Sequence, residues 1–396
     1  MGVCGSKTTI YVSEGEKVVS GGNLAHISDV DINEEYLYSI DGFLSVCPLA
    51  SSEKFALLDI DGVIYIIDRP FERKDDSKTE ISPRTTSQCP IIDSVSDLPL
   101  SNVITSHLSD YICLGGSEGD ISLCKIDDSM DSSSFISSPV STLSHHTLGV
   151  SDLISLSETQ LFSSSRDCTV CLWDVEKSEA IQYSYISRNV GKKVLQINEH
   201  LVLQAGEDLN VKLWDIRDLR TPVYVSSPSL HICSSLSLSS TNRLQPYVGR
   251  AGCGNDGGLV EQWDIRNCSS ASSVTSVSSP PEGLDAATSS SSSSSSSSTL
   301  VKMHEWDTEQ EDGVLCVGTI GQSPVTVHGD GVVLWNVKER SGRGRSSRST
   351  EDGSDDESIF GVSQAWHVPI DKQVCSACVS DDIVICACMD GTIYSV

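Results

Sequence analysis

Residues 161 to 175, LFSSSRDCTVCLWDV, decide the fold of this chain. Val170 and Leu172 recur at every second position, which is the period-2 pattern of a half-buried strand and not the 3.6-residue stripe of a helix. An Arg-Asp turn at Arg166 and Asp167 separates that strand from an apolar one before it, and a Trp-Asp pair closes the unit. The same design recurs on either side. LVLQAGEDLNVKLWDI (201 to 216), GCGNDGGLVEQWDI (252 to 265) and VTVHGDGVVLWNV (325 to 337) are clear copies. DYICLGGSEGDISLCKID (110 to 127), FALLDIDGVIYIID (55 to 68) and the terminal IVICACMDGTIYSV (383 to 396) are weaker ones. The count is seven, or eight if HISDVDINEEYLYSIDGFLSVCPL (26 to 49) forms a unit of its own.

Self-similarity of this kind, with Trp173 and Trp214 standing 41 residues apart, resembles the WD-repeat (WD40) family, whose period is about 40 to 45 residues. The resemblance covers roughly residues 26 to 396. It implies an all-β fold: a single seven-bladed β-propeller of radially arranged four-stranded sheets, eight blades remaining open. The family's His, Ser or Thr, Asp and Trp tetrad carries over in full only to the third unit, as His146, Ser163, Asp167 and Trp173. Asp208 and Trp214 match in the fourth unit, where no His precedes them, Asp256 and Trp263 in the fifth, one residue further apart, and Trp335 in the sixth. The resemblance makes these residues buried blade staples and not catalytic groups.

Wider intervals mark insertions. Trp263 and Trp335 are 72 apart, and a Ser-rich stretch with an unbroken Ser run at 289 to 298 lies between them. Such a run has too little apolar surface to offset the entropy of ordering it. Insertions are read at 69–90, 127–141, 268–299 and 338–358, each after the third strand of its unit. Loops at that position leave a propeller on one face, so the decoration is one-sided. The chain stops one strand short at its last unit, and the strand that closes the ring is expected within residues 8 to 40.

The formal charge is −28, with a pI near 4.5. Affinity for nucleic acid comes mainly from Lys and Arg on phosphates, so that class of partner is excluded. Fifteen Cys are spread over 396 residues with no secretory signal ahead of them, which fits reduced thiols used as small hydrophobes in a cytosolic protein. Cys375, Cys378, Cys386 and Cys388 have a spacing that suggests zinc, but they fall on strands, and burial is favoured over metal binding. Neither a phosphate-cradling Gly loop nor a nucleophile elbow is found. No metal, cofactor or small-molecule substrate is expected.

Chemistry concentrates at the N-terminus. Met1 to Lys7, MGVCGSK, satisfies the pattern M-G-x-x-x-[ST], which makes Gly2 the amine acylated by myristate. One such chain binds membranes only marginally, at about 10⁴ M⁻¹, and Cys4 is placed to supply the second by palmitoylation. Residues 1–25 then form a lipid-modified tether. In KERSGRGRSSRSTEDGSDDES (338 to 358), Ser346, Ser347 and Ser349 lie among Arg residues and Ser354 precedes acidic ones, so these are candidate phosphosites.

The expected function is a non-catalytic, membrane-tethered scaffold for protein-protein interactions, not an enzyme. YSYISRNVGKKVLQINEHLVLQAGEDLNVKLWDIRDLR (183 to 220), where Ser-Arg-Asn-Val replaces the usual Gly-His, resembles a branch of the family associated with cilia. That resemblance implies a role in intraflagellar transport and in trafficking of ciliary membrane proteins, at the cytoplasmic face of a membrane in a cilium or flagellum. The alternatives are a substrate-receptor propeller of a ubiquitin ligase, or a lipid-anchored signalling scaffold unrelated to cilia.

Overall fold

Alternating apolar residues in short runs broken by Asp and Gly turns give strands, and strands with one apolar face must stack sheet on sheet. In the computed structural model they form seven four-stranded antiparallel sheets. The structure describes residues 9–10, 19–20, 42–49, 53–69, 87–88, 91, 93–95, 98, 100–107, 111–126, 136–251, 257–266, 300–310, 312–339, 360–380 and 382–396. The innermost strands are Phe43–Pro48, Ser101–His107, Val150–Ser157, Gly191–Gln196, Cys233–Ser237, Cys316–Ile320 and Val374–Ser380. Each contacts the next in chain order, and the last contacts the first, so the ring is closed with seven blades and no eighth.

Between blades the core is made by the apolar faces of adjacent sheets. Leu203, Val211 and Leu213 of blade 4, for example, pack on Val248, Trp263 and Ile265 of blade 5. Close approach demands glycine at one position here. Gly206, at the end of the second strand of blade 4 (Leu201–Gly206), lies opposite Gly191, and a Cβ on it would run into the Val190 carbonyl oxygen and the Lys192 amide nitrogen. Backbone cannot swing aside as a side chain can. Gly206→Ala is expected to cost about 1–3 kcal/mol, read as a lower urea midpoint; an unchanged midpoint refutes this account.

The third strands end at Asp68, Ile126, Asp264 and Glu339, so Lys338 and Glu339, read as the start of the last insertion, belong to the third strand of blade 6. Because every sheet runs from the inner wall outward in the same order, these four strand ends share one face. Other expected boundaries need correction. The fourth strand of blade 2 spans Ile136–Leu143, so the end of the stretch 127–141 is strand and not insertion. More consequentially, the closing strand does not come from residues 8 to 40. Ser87–Gln88, within the first insertion, pairs with Ile393–Ser395 and completes blade 7, while blade 1 takes its own fourth strand from Asp93–Val95. Within 8 to 40, Thr9–Ile10 and Val19–Ser20 pair with each other as a separate two-stranded sheet. The first blade begins at Phe43.

Candidate interaction sites around the ring

In the third unit the four predicted residues meet. A Trp indole can only donate and an ionised Asp can only accept, which fixes the direction of the network. Trp173 Nε1–H donates to Ser163 Oγ at 2.8 Å, and Ser163 Oγ stands 2.7 Å from His146 Nε2. With the indole already on that oxygen, the hydroxyl proton goes to the imidazole. His146 Nδ1–H then donates to Thr169 Oγ1 at 2.7 Å, and Thr169 donates to Asp167 Oδ1 at 2.6 Å. The ring is thus neutral and in the Nδ1–H form. Burial pulls its pKa down to about 4, although Asp167 Oδ2 lies only 3.5 Å away and opposes the shift. Asp167 also accepts from the Thr147 amide, at 2.7 Å. Thr169, a link in this chain, was not foreseen from the sequence.

The same Trp position does something different in each of the next blades. Trp214 donates to the side-chain oxygen of Gln204 at 2.8 Å, and Asp208 pairs with the buried ammonium of Lys212 in place of a His. Trp335 donates to Thr326 Oγ1 at 2.9 Å; Thr326 lies 2.8 Å from His328 Nε2, and His328 Nδ1 reaches the Asp312 carbonyl at 3.1 Å. That network copies the one in blade 3 but draws its imidazole from the second strand, Ser323–His328. Burial lowers the pKa of His328 as well. Thr326 and His328 stand nine and seven residues before Trp335, a spacing from which they were legible but not read.

Blade 5 departs furthest. Trp263 Nε1–H donates at 3.0 Å to Glu261 Oε2, which also receives Arg250 Nε at 3.1 Å and Nη2 at 2.8 Å. The remaining Arg250 nitrogen, Nη1, reaches the carbonyls of His231 at 3.1 Å and Leu209 at 3.5 Å. Both charged side chains are 1% exposed. Beside them lies a cavity of about 260 Å³, walled by Tyr224, Pro228, Trp263 and Leu300. The fourth strand of blade 4, Tyr224–Val225, is two residues long where that of blade 3 has seven, and this shortness leaves the flank of blade 5 open.

An apolar stripe marks the outer strand of blade 3, Glu179–Tyr185. Gln182 and Ser184 turn inward and bond carbonyls of blade 4, including those of Arg217 and Arg220. Ile181, Tyr183 and Tyr185 therefore face outward together, 43%, 60% and 64% exposed. His145 packs against Tyr183 with ring centroids 4.3 Å apart and ring planes inclined by 46°. Large apolar side chains gathered on one outer strand are a feature of interaction surfaces.

The other predicted positions separate. Gly2, Cys4, Asp256, Ser346, Ser347, Ser349 and Ser354 lie outside the described residues. Cys375 and Cys378 are on the first strand of blade 7 and Cys386 and Cys388 on its second, as read. Burial pushes the Cys388 thiol up to about 12 and that of Cys378 higher still.

No family model matches the chain. A segment of 135 residues, 32% of the chain, is 27% identical to Radiation-sensitive protein 28 of Saccharomyces cerevisiae and spans 26% of that protein's length. Among solved structures, the crystal structure of the WD40 beta propeller domain of Doa1 is similar with a TM-score of 0.56 and 14% identity, covering 90% of this chain and 92% of that one. Seven closed blades and this superposition give the chain a WD40-type propeller fold.

Proposed function

We propose that this chain is a membrane-tethered scaffold that docks proteins of ciliary trafficking on the wall of its propeller. The observation that carries the reading is the outward stripe of Ile181, Tyr183 and Tyr185 on blade 3. Aromatic side chains of this kind bring a large apolar area and a polar tip to a contact, and they dominate the energetics of protein interfaces. His146 and Asp167 of the same blade are spent on holding it together, since both have their partners within it, while His145 lies against Tyr183 as part of the stripe.

Two features of the sequence support the finer parts of the proposal. MGVCGSK presents Gly2 and Cys4 for dual acylation, and an acidic body of net charge −28 gains nothing from an anionic leaflet, so a second acyl chain is what attachment requires. The stretch 183 to 220 is similar to the corresponding blades of WD repeat-containing protein 31, of a group associated with intraflagellar transport. The test is proximity labelling in ciliated cells, with wild type, Gly2→Ala and Tyr183→Ser/Tyr185→Ser. Clickable myristate and the membrane fraction are expected to be lost with Gly2→Ala. Labelling of ciliary trafficking components is expected to fall at least fivefold with the Tyr variant while membrane recovery stays. Equal labelling by all three proteins overturns the proposal.

A further inference from the structure

The cavity on the flank of blade 5 offers a chemically defined opening. Glu261 Oε2 is saturated by three donors, but Oε1 has only distant partners, Ser229 Oγ at 3.4 Å and Lys302 Nζ at 3.7 Å. A buried carboxylate oxygen gains most from a close, charged donor. Lys302 is a poor one, because its ammonium also binds Glu305 and its side chain is 42% exposed. Arg250 is already engaged through all three of its nitrogens, Nε and Nη2 with Glu261 and Nη1 with the carbonyls of His231 and Leu209. Among the described lining residues the two cations, Arg250 and Lys302, are already paired with carboxylates, so an anion entering here must break a pair and still face Glu261. A cation meets an under-coordinated oxygen, aromatic walls in Tyr224 and Trp263, and the field of a body of charge −28.

We infer that this cavity, between blades 4 and 5, is a binding pocket for one basic side chain, Arg or Lys, of a docked partner protein. The incoming guanidinium or ammonium takes the place of Lys302 on Glu261 Oε1, and Lys302 keeps Glu305. About 260 Å³ holds a single long side chain and no folded element, so the pocket reads one residue of a partner whose remaining contacts lie on the surrounding wall. The inference rests on the scaffold reading and adds a second contact point with defined chemistry, a blade away from the Tyr183 stripe.

The indole N–H of Trp263, already on Glu261, is a local reporter. In the full chain labelled with ¹⁵N-tryptophan, its NMR signal, assigned by loss in Trp263→Phe, is followed while Ac-Gly-Arg-Gly-NH₂, Ac-Gly-Lys-Gly-NH₂ and Ac-Gly-Glu-Gly-NH₂ are added. The Arg and Lys peptides should shift it saturably and the Glu peptide should not. Lys302→Met, which removes an exposed competitor and leaves the buried pair intact, should tighten the Arg peptide about threefold to fivefold. Ser229→Phe, which fills the mouth of the cavity, should abolish the shift. A signal unmoved by the basic peptides, an equal response to the Glu peptide, or weaker binding after Lys302→Met overturns the pocket. None of these outcomes bears on the labelling lost with Tyr183 and Tyr185, so the scaffold reading stands or falls separately.

Discussion

Arg250→Met is expected to destabilise the propeller by about 3–5 kcal/mol. The substitution strips the 1% exposed Glu261 carboxylate of its guanidinium and leaves it only the distant Lys302 Nζ at 3.7 Å, and removing one partner of a buried pair costs far more than the ion pair itself contributes. The cost belongs to the orphaned partner and not to the missing contact. Arg250→Met/Glu261→Gln should therefore recover most of the loss, since the amide is neutral and its oxygen still accepts from Trp263. Urea denaturation followed by tryptophan fluorescence measures both. A single variant within about 1 kcal/mol of wild type, or a double variant no better than the single, contradicts the account.

Acid should act chiefly through His146. Its folded pKa of about 4 lies below the ordinary value of 6.5, so as pH falls the unfolded chain takes up the proton first and the folded state is disfavoured. Stability present above pH 6.5 is lost as pH drops toward 4: about 1.4 kcal/mol by pH 5.5 and roughly 3 kcal/mol by pH 4. The physical cause is visible in the network, where a protonated Nε2 would no longer accept from Ser163, which in turn receives Trp173. His328 shifts in the same direction and adds to the slope. The carboxyl of Asp167, held below its ordinary value, contributes only at lower pH. Urea midpoints at pH 7.5 and 5.5, both above the pI of about 4.5, should converge in His146→Gln relative to wild type. Parallel behaviour of the two proteins would rule His146 out as the source.

What was legible in the sequence was local. Trp173, Trp214, Trp263 and Trp335 each close a hairpin whose alternation is complete within fifteen residues, and all four occupy the same place in their blades. The same alternation carried more than was taken from it. Lys212 and Glu261 stand two before Trp214 and Trp263, hence on the face that buries the indole, and a charge there must find a partner inside. Those partners, Asp208 and Arg250, lie on the neighbouring turn and strand. The cavity was not readable, because it depends on the fourth strand of blade 4 ending after Val225, and a two-residue strand leaves no periodicity. The closing strand was misplaced for a similar reason. Ser87 and Gln88 pair with Ser395 and Tyr394 across some three hundred residues, and no local pattern records a pairing at that distance.

That closing pair has a mechanical meaning. The seam of the ring is latched by a short strand that follows the third strand of blade 1, so three strands stand between it and the N-terminal side of the propeller. A tensile load entering from the N-terminal side arrives at Phe43 on the inner wall and must peel Phe43–Pro48, Lys54–Asp59 and Ile64–Asp68 in turn before it reaches Ser87. With an N-terminal closing strand, the same pull would have unzipped the seam first. For a pull from that side, the hoop carries its latch off the load line.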